Sequence, residues 1–184
     1  TLKRGCLDVT ASFLYFRLTV IVRIVKCKGI YVISLRSGVI MDAKRLEREI
    51  HKNPFDTFMD FHVEKAEPES TILTFENKGS KWDNPNGTMY GGVLYSMADS
   101  AMEAACAVCG KAVLTLDLGM NYLRPAFANT VIRAEARIIH NGRTTMVALC
   151  DFYDNDQRYL AHGKGTFFVT GAYVFEGERG HTDE

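Results

Sequence analysis

The stretch NPNGTMYGGVLYSMADSAMEAAC, residues 84–106, decides how this chain is read. A turn-rich segment leads into the pair Gly91-Gly92 and then into a helical pattern over 89–109. Its apolar residues Val93, Leu94, Met97, Ala98, Ala101, Met102 and Ala105 recur at helical spacing and form one stripe. Alanine, serine and glycine are so frequent in it that a sheet could approach and wrap it closely.

A helix N-terminus carries unpaired backbone N–H groups and a partial positive charge. At Gly91 and Gly92 no side chain screens that spot. A carbonyl oxygen could therefore reach hydrogen-bonding range, as in an oxyanion site. Equally, the glycines could serve only a tight turn or close helix–sheet packing. Asp99 follows Gly91 by eight residues, about 12 Å along a helix axis. A reacting carbonyl and its attacking water need partners within about 3 Å. If both groups act at one bond, Asp99 comes from a second copy of the chain, which implies a dimer with two composite sites. A structural carboxylate at a subunit seam is the other reading of Asp99. Glu103, at i+4 from it, is the runner-up base, and repulsion between two partly buried acids would favour protonation of one.

The rest of the body surrounds this helix with strands. Asp42 caps a short helix over 43–51. FMDFHVEKA (58–66) and STILTFEN (70–77) read as strands about the turn EPES. Four more strands follow, at 112–125, 130–140, 144–154 and 158–175, with Asn141-Gly142 a hairpin signal. In VIRAEARII, Ile132, Ala134, Ala136 and Ile138 alternate with polar neighbours, giving one dry and one wet face. Two strands, a helix and four strands joined by hairpins predict an α+β layout, a mostly antiparallel sheet with one long helix against it.

At 184 residues and 47% hydrophobic, the chain suits a single globular domain. Its zero net charge is unevenly spread. Residues 1–40 hold seven Lys/Arg and one acid, and the body holds fifteen Lys/Arg against twenty-one acids. A mildly acidic body argues against nucleic acid as partner. The five cysteines form no disulfide framework, which fits a reducing cytoplasm. Cys106 and Cys109 lack two further ligands at zinc spacing, so no metal is expected. His62, His140 and His162 are scattered on different strands and are assigned structural roles. Residues 1–40 contain no methionine and read as a non-native or upstream extension, poorly ordered. A basic membrane-surface or targeting segment and a partner- or DNA-binding element are the alternatives. Arg17 and Arg23 break the apolar run before a membrane span accumulates.

Residues 55 to about 172 resemble hotdog-fold thioesterases of the PaaI-like, phenylacetic-acid-degradation type. The resemblance rests on Asn84, then Tyr90-Gly91-Gly92 six residues on, then Asp99. It continues through TLDLGMNYLRPA, ARIIHNGRTT and LAHGKGTFFV. It implies a hotdog fold, in which the sheet wraps one central helix, and hydrolysis of acyl-CoA thioesters to free acid and CoA. No cofactor is implied beyond the CoA of the substrate. Asp99 would be general base or nucleophile, the Gly91 N–H would polarise the thioester carbonyl, and Asn84 would hold water or thioester. Thr115 would orient the water or Asp99. Tyr90 stands where the family commonly has His, a donor that does not titrate near neutrality, so altered or reduced activity is expected. Around the substrate, Tyr90, Gly92, Arg143, Thr144 and Lys164 are the binding candidates, with Arg124 behind them, and Trp82 and Tyr95 are candidates for the acyl pocket. The expected partners are acyl-CoA and further copies of the chain, as a homodimer or dimer of dimers, with no membrane. A non-catalytic acyl-CoA-binding module or ligand-sensing regulator is the competing reading. A hotdog hydratase ranks last, because the helix carries no His.

Overall fold

The computed structural model describes residues 7–15, 18–27, 30–39, 42–67 and 70–175, the first three segments as backbone alone. Two compact units result, residues 1–40 and 41–184. In the first, β1 (Leu7–Tyr15), β2 (Leu18–Cys27) and β3 (Ile30–Val39) form an antiparallel meander. Among the described residues no helix is long and apolar enough to cross a membrane.

The second unit begins with α1 (Ala43–Ile50), capped as expected by the Asp42 carboxylate, which accepts from Arg45 N at 2.7 Å. One element differs from the sequence reading. Phe58 and Met59 belong not to a strand but to α2 (Pro54–Met59). Asn53 accepts from Phe55 N and Pro54 supplies a preset φ at the first turn, while Asp60 in the left-handed region (φ 60°) stops the helix. The strand β4 is therefore shorter, His62–Glu67, and β5 follows at Ser70–Asn77. The EPES turn includes residues 68–69, which lie outside the described residues.

A 3-10 turn (Ser80–Trp82) leads to α3 (Gly91–Val108). Then come β6 (Lys111–Tyr122), β7 (Thr130–Asn141), β8 (Thr145–Tyr153) and β9 (Tyr159–Ala172). The six strands of this unit form one antiparallel sheet in the order β4-β5-β7-β8-β9-β6. The Asn141-Gly142 hairpin closes with Gly142 N donating to Thr145 O at 3.0 Å. Ile132, Ala134 and Ala136 face the core with Met146, Ala148, Cys150 and Phe152 of β8, and Ile138 packs against its edge. The helix lies against this dry face. Its seven stripe residues are all buried, Met97, Ala98, Ala101, Met102 and Ala105 completely. This is the hotdog fold, a sheet curled around one helix.

β6 is the edge that matters. Among the described residues it pairs only with β9, and it bulges between Ala112 and Val113 and between Thr115 and Asp117. Its Leu114 and Leu116 are each 61% exposed.

Candidate active site

The approach to α3 is fixed by backbone. Met89 N donates to Ala126 O at 2.9 Å and Tyr90 N to Trp82 O at 2.7 Å. Tyr90 is the N-cap, but its side chain makes no capping bond, so the first N–H groups of the helix gain no acceptor from it. Both glycines leave room for neighbouring rings. A Cβ on Gly91 would meet Tyr122 Cζ at 3.2 Å, and one on Gly92 would meet Tyr90 Cε1 at 2.6 Å. The helix start is thus bare toward solvent and flanked by two phenol rings.

One cavity of about 330 Å³ holds Asn84 and Gly91 together with Thr88, Leu94, Tyr122 and Arg124. Asn84 is partly committed to its own loop. Its Nδ2 donates to Thr88 Oγ1 at 2.8 Å, and its Oδ1 accepts from Asn86 N and Thr88 N. The second Nδ2–H is left over for another acceptor. Arg124 is anchored by a 2.7 Å bond to Tyr159 O.

Asp99 lies two turns further along α3 and outside that cavity. Thr115 of β6 donates its hydroxyl to Asp99 Oδ1 at 2.8 Å, which fixes the carboxylate and leaves Oδ2 to accept elsewhere. Beyond Asp99 a second cavity, about 180 Å³, opens between α1, α2 and α3. Three carboxylates line it. Glu49 is held by Lys52 at 2.8 Å, and Asp56 accepts from Ser100 Oγ at 2.5 Å. Glu103 has its carboxyl pushed up to about 7 by burial, then by the charges of Asp99 and Asp56. Burial also raises Asp56, against its bond from Ser100.

The remaining candidates lie apart. Arg143 and Thr144 are exposed in the β7–β8 hairpin, where Thr144 O accepts from Val169 N. Lys164 is exposed on β9 opposite Leu149 and Gly119. Trp82 and Tyr90 line an aromatic groove of about 470 Å³ with Phe55 and Phe58, in which Lys81 Nζ lies 4.6 Å from the Trp82 ring centre. Tyr95 is not part of that groove and donates to Leu118 O at 2.8 Å. Of the histidines, His162 bonds Asp151 Oδ1 at 2.8 Å, and among the described residues no cluster of metal-binding side chains occurs. Cys106 and Cys150 are buried free thiols. The sequence reading did not find Tyr122, Asp56 or Ser100. A phenol reaching back thirty-one residues leaves no periodic signal.

Residues 86–161 match the family profile of the thioesterase superfamily. The chain is 32% identical over 91 residues, half of its length, to the acyl-coenzyme A thioesterase PaaI of Escherichia coli. The matched region spans 65% of PaaI and 55% of a further relative from Archaeoglobus fulgidus, less than two thirds of each. It is 26% identical to the medium/long-chain acyl-CoA thioesterase YigI of Salmonella typhimurium, over 67% of this chain and 90% of that one. Among solved structures, a Streptococcus mutans protein bound to acetyl CoA superposes with TM-score 0.60 at 26% identity, covering 62% of this chain and 91% of its own. A hypothetical thioesterase of Streptococcus pneumoniae, solved with one Asp or one Thr replaced by alanine, superposes at 0.59 and 25% identity, covering 62% and 93%. Sheet order, central helix and sequence agree in making the chain similar to PaaI-like hotdog-fold proteins of the thioesterase superfamily.

Proposed function

We propose that the protein hydrolyses acyl-CoA thioesters to the free acid and CoA, as a homodimer or dimer of dimers in a reducing cytoplasm. The observation that carries this reading is the Thr115–Asp99 hydrogen bond, set two turns from a bare helix start at Gly91. The Gly91 N–H receives the thioester carbonyl and stabilises the negative charge that develops on its oxygen. Asp99, held by Thr115, takes the proton of the attacking water or attacks directly. The spare Nδ2–H of Asn84 holds the water or the thioester. Tyr90 and Gly92 shape the entrance, while Arg143, Thr144 and Lys164 meet the polar CoA portion.

Asp99 and Gly91 of one chain stand too far apart to serve one bond, so each site takes Asp99 from one subunit and the helix start from its partner. The edge strand β6 supports this, because its unpaired backbone and exposed Leu114 and Leu116 suit pairing with a second copy. A further support is a spacing. The Asp and Thr replaced in the pneumococcal protein lie sixteen positions apart, as Asp99 and Thr115 do here.

The test is CoA release from a panel of aryl and aliphatic acyl-CoAs, with and without Asp99→Asn. Turnover that collapses in the variant while binding persists supports hydrolysis. Tight acyl-CoA binding with no turnover by the wild-type chain would instead favour the binding module, with Tyr90 the first suspect.

A further inference from the structure

Two consecutive glycines are a poor way to hold a hydrogen-bond donor still. Each visits more backbone conformations than any other residue, and the first turn of α3 has no side-chain cap from Tyr90 to restrain it. An oxyanion donor nevertheless works by being fixed before charge develops. Val93 N, donating to Tyr90 O at 3.0 Å, holds the peptide that carries the Gly91 N–H, and the Gly91–Gly92 peptide that follows needs a restraint of its own.

The edge strand β6 and α3 are joined by three side-chain bonds spaced along both elements. Thr115 donates to Asp99 at the third turn of the helix. Tyr95 of α3 donates to Leu118 O of β6 at 2.8 Å. Tyr122, at the end of β6, donates back to Gly91 O at 2.8 Å. The two phenols point in opposite directions across the seam, so neither can slide without straining the other. The Tyr122 ring also lies against Gly91, close enough that a Cβ would meet Cζ, Cε1 and Oη at 3.2–3.4 Å. Tyr122 lines the cavity shared by Asn84 and Gly91, although half of its surface is exposed.

We infer that Tyr122 is a positioning residue for the thioesterase site, its hydroxyl pinning the Gly91 carbonyl and with it the Gly91–Gly92 peptide, so that the Gly92 N–H and the backbone that follows the Gly91 donor are held in a fixed direction. This rests on the hydrolytic reading above. Burial, followed by the neighbouring phenols Tyr95 and Tyr90, raises the Tyr122 phenol above its ordinary value, so it remains a donor throughout the neutral range. The hydroxyl touches backbone rather than the reacting atoms in this account, and its effect is carried by Gly91. Since β6 also holds Thr115, one strand would set both halves of the chemistry, the donor at its end and the acid at its middle.

Tyr122→Phe removes the hydroxyl and keeps the ring. In the full chain it should lower kcat by roughly tenfold to hundredfold, the scale of a small misplacement of a catalytic group, and leave KM within about twofold. The backbone ¹⁵N order parameters of Gly91 and Gly92, from NMR relaxation, should fall, with those of β7 and β8 unchanged. An unchanged kcat, or a rise in KM at constant kcat, would overturn the inference, because the phenol would then be inert or a substrate contact. Relaxation gives a readout independent of turnover. If the wild-type chain hydrolyses no thioester, the hydrolytic reading fails, yet lower order parameters at Gly91 and Gly92 in Tyr122→Phe still uphold the pin and unchanged ones refute it.

Discussion

The two sides of α3 obey different rules within one helix. Toward the sheet it presents Val93, Leu94, Met97, Ala98, Ala101, Met102 and Ala105, buried and closely packed. Along the other side run Gly92, Ser96, Asp99, Ser100 and Glu103, a row of small and polar residues beside the cavities and the edge strand. The first side holds the fold together by removing apolar surface from water. The second keeps hydrogen-bonding and acidic groups in places that burial makes costly. A side that costs stability and persists is where chemistry is to be sought.

The sharpest break between the two sides should come from a pair of substitutions two positions apart. Asp99→Asn keeps size and polarity and is expected to reduce thioester turnover by roughly a hundredfold to ten-thousandfold, the range for loss of a general base, with little change in the urea midpoint. Met97→Ala opens a hole at a residue with no exposed surface and should lower stability by about 2–5 kcal/mol. At temperatures where that variant stays folded, turnover should fall by much less. If Met97→Ala abolished turnover in a fully folded protein, or Asp99→Asn unfolded it, the division would be wrong.

A smaller effect tests the link from strand to acid. Thr115→Val deletes the bond to Asp99 and should reduce kcat roughly tenfold, about the worth of one hydrogen bond to a charged group. Thr115→Ser restores a hydroxyl and should recover most of the loss. Equal activity in the Val and Ser variants would show that Asp99 needs no help from β6.

The packed side of α3 was legible in the sequence because burial leaves a periodic mark. Seven residues at helical spacing were enough to place the stripe, and alternation in 131–139 placed the dry face of β7. The polar side was legible only where a motif marked it, at Asn84, Gly91 and Asp99. Local signals also misled once. Phe58 and Met59 resemble the start of a strand, but the Asn53 cap and Pro54 begin a helix before them. What joins distant segments stayed hidden. Tyr122 to Gly91, Tyr95 to Leu118 and Ser100 to Asp56 each bridge more than twenty positions, and a side chain that reaches across a fold has no periodicity to betray it.

The smallest expected effect concerns how much stability the polar side forfeits. Glu103 titrates near 7 in the folded chain, against 4.5 for an unhindered glutamate. Between those values the folded state holds a proton that the unfolded chain has released. Stability attributable to this group is therefore fully present below about pH 4.5 and is lost as the pH rises through about 7. With allowance for partial exposure, the loss is on the order of 1 kcal/mol. Glu103→Gln cannot ionise, so its urea midpoint should exceed that of the wild type at pH 8 and converge with it near pH 4.5. A gap of the same size at both pH values would mean that packing, not charge, separates the two proteins. The acidic side of α3 would then carry its carboxylates at no electrostatic cost, and the contrast between the two sides of the helix would reduce to one of shape.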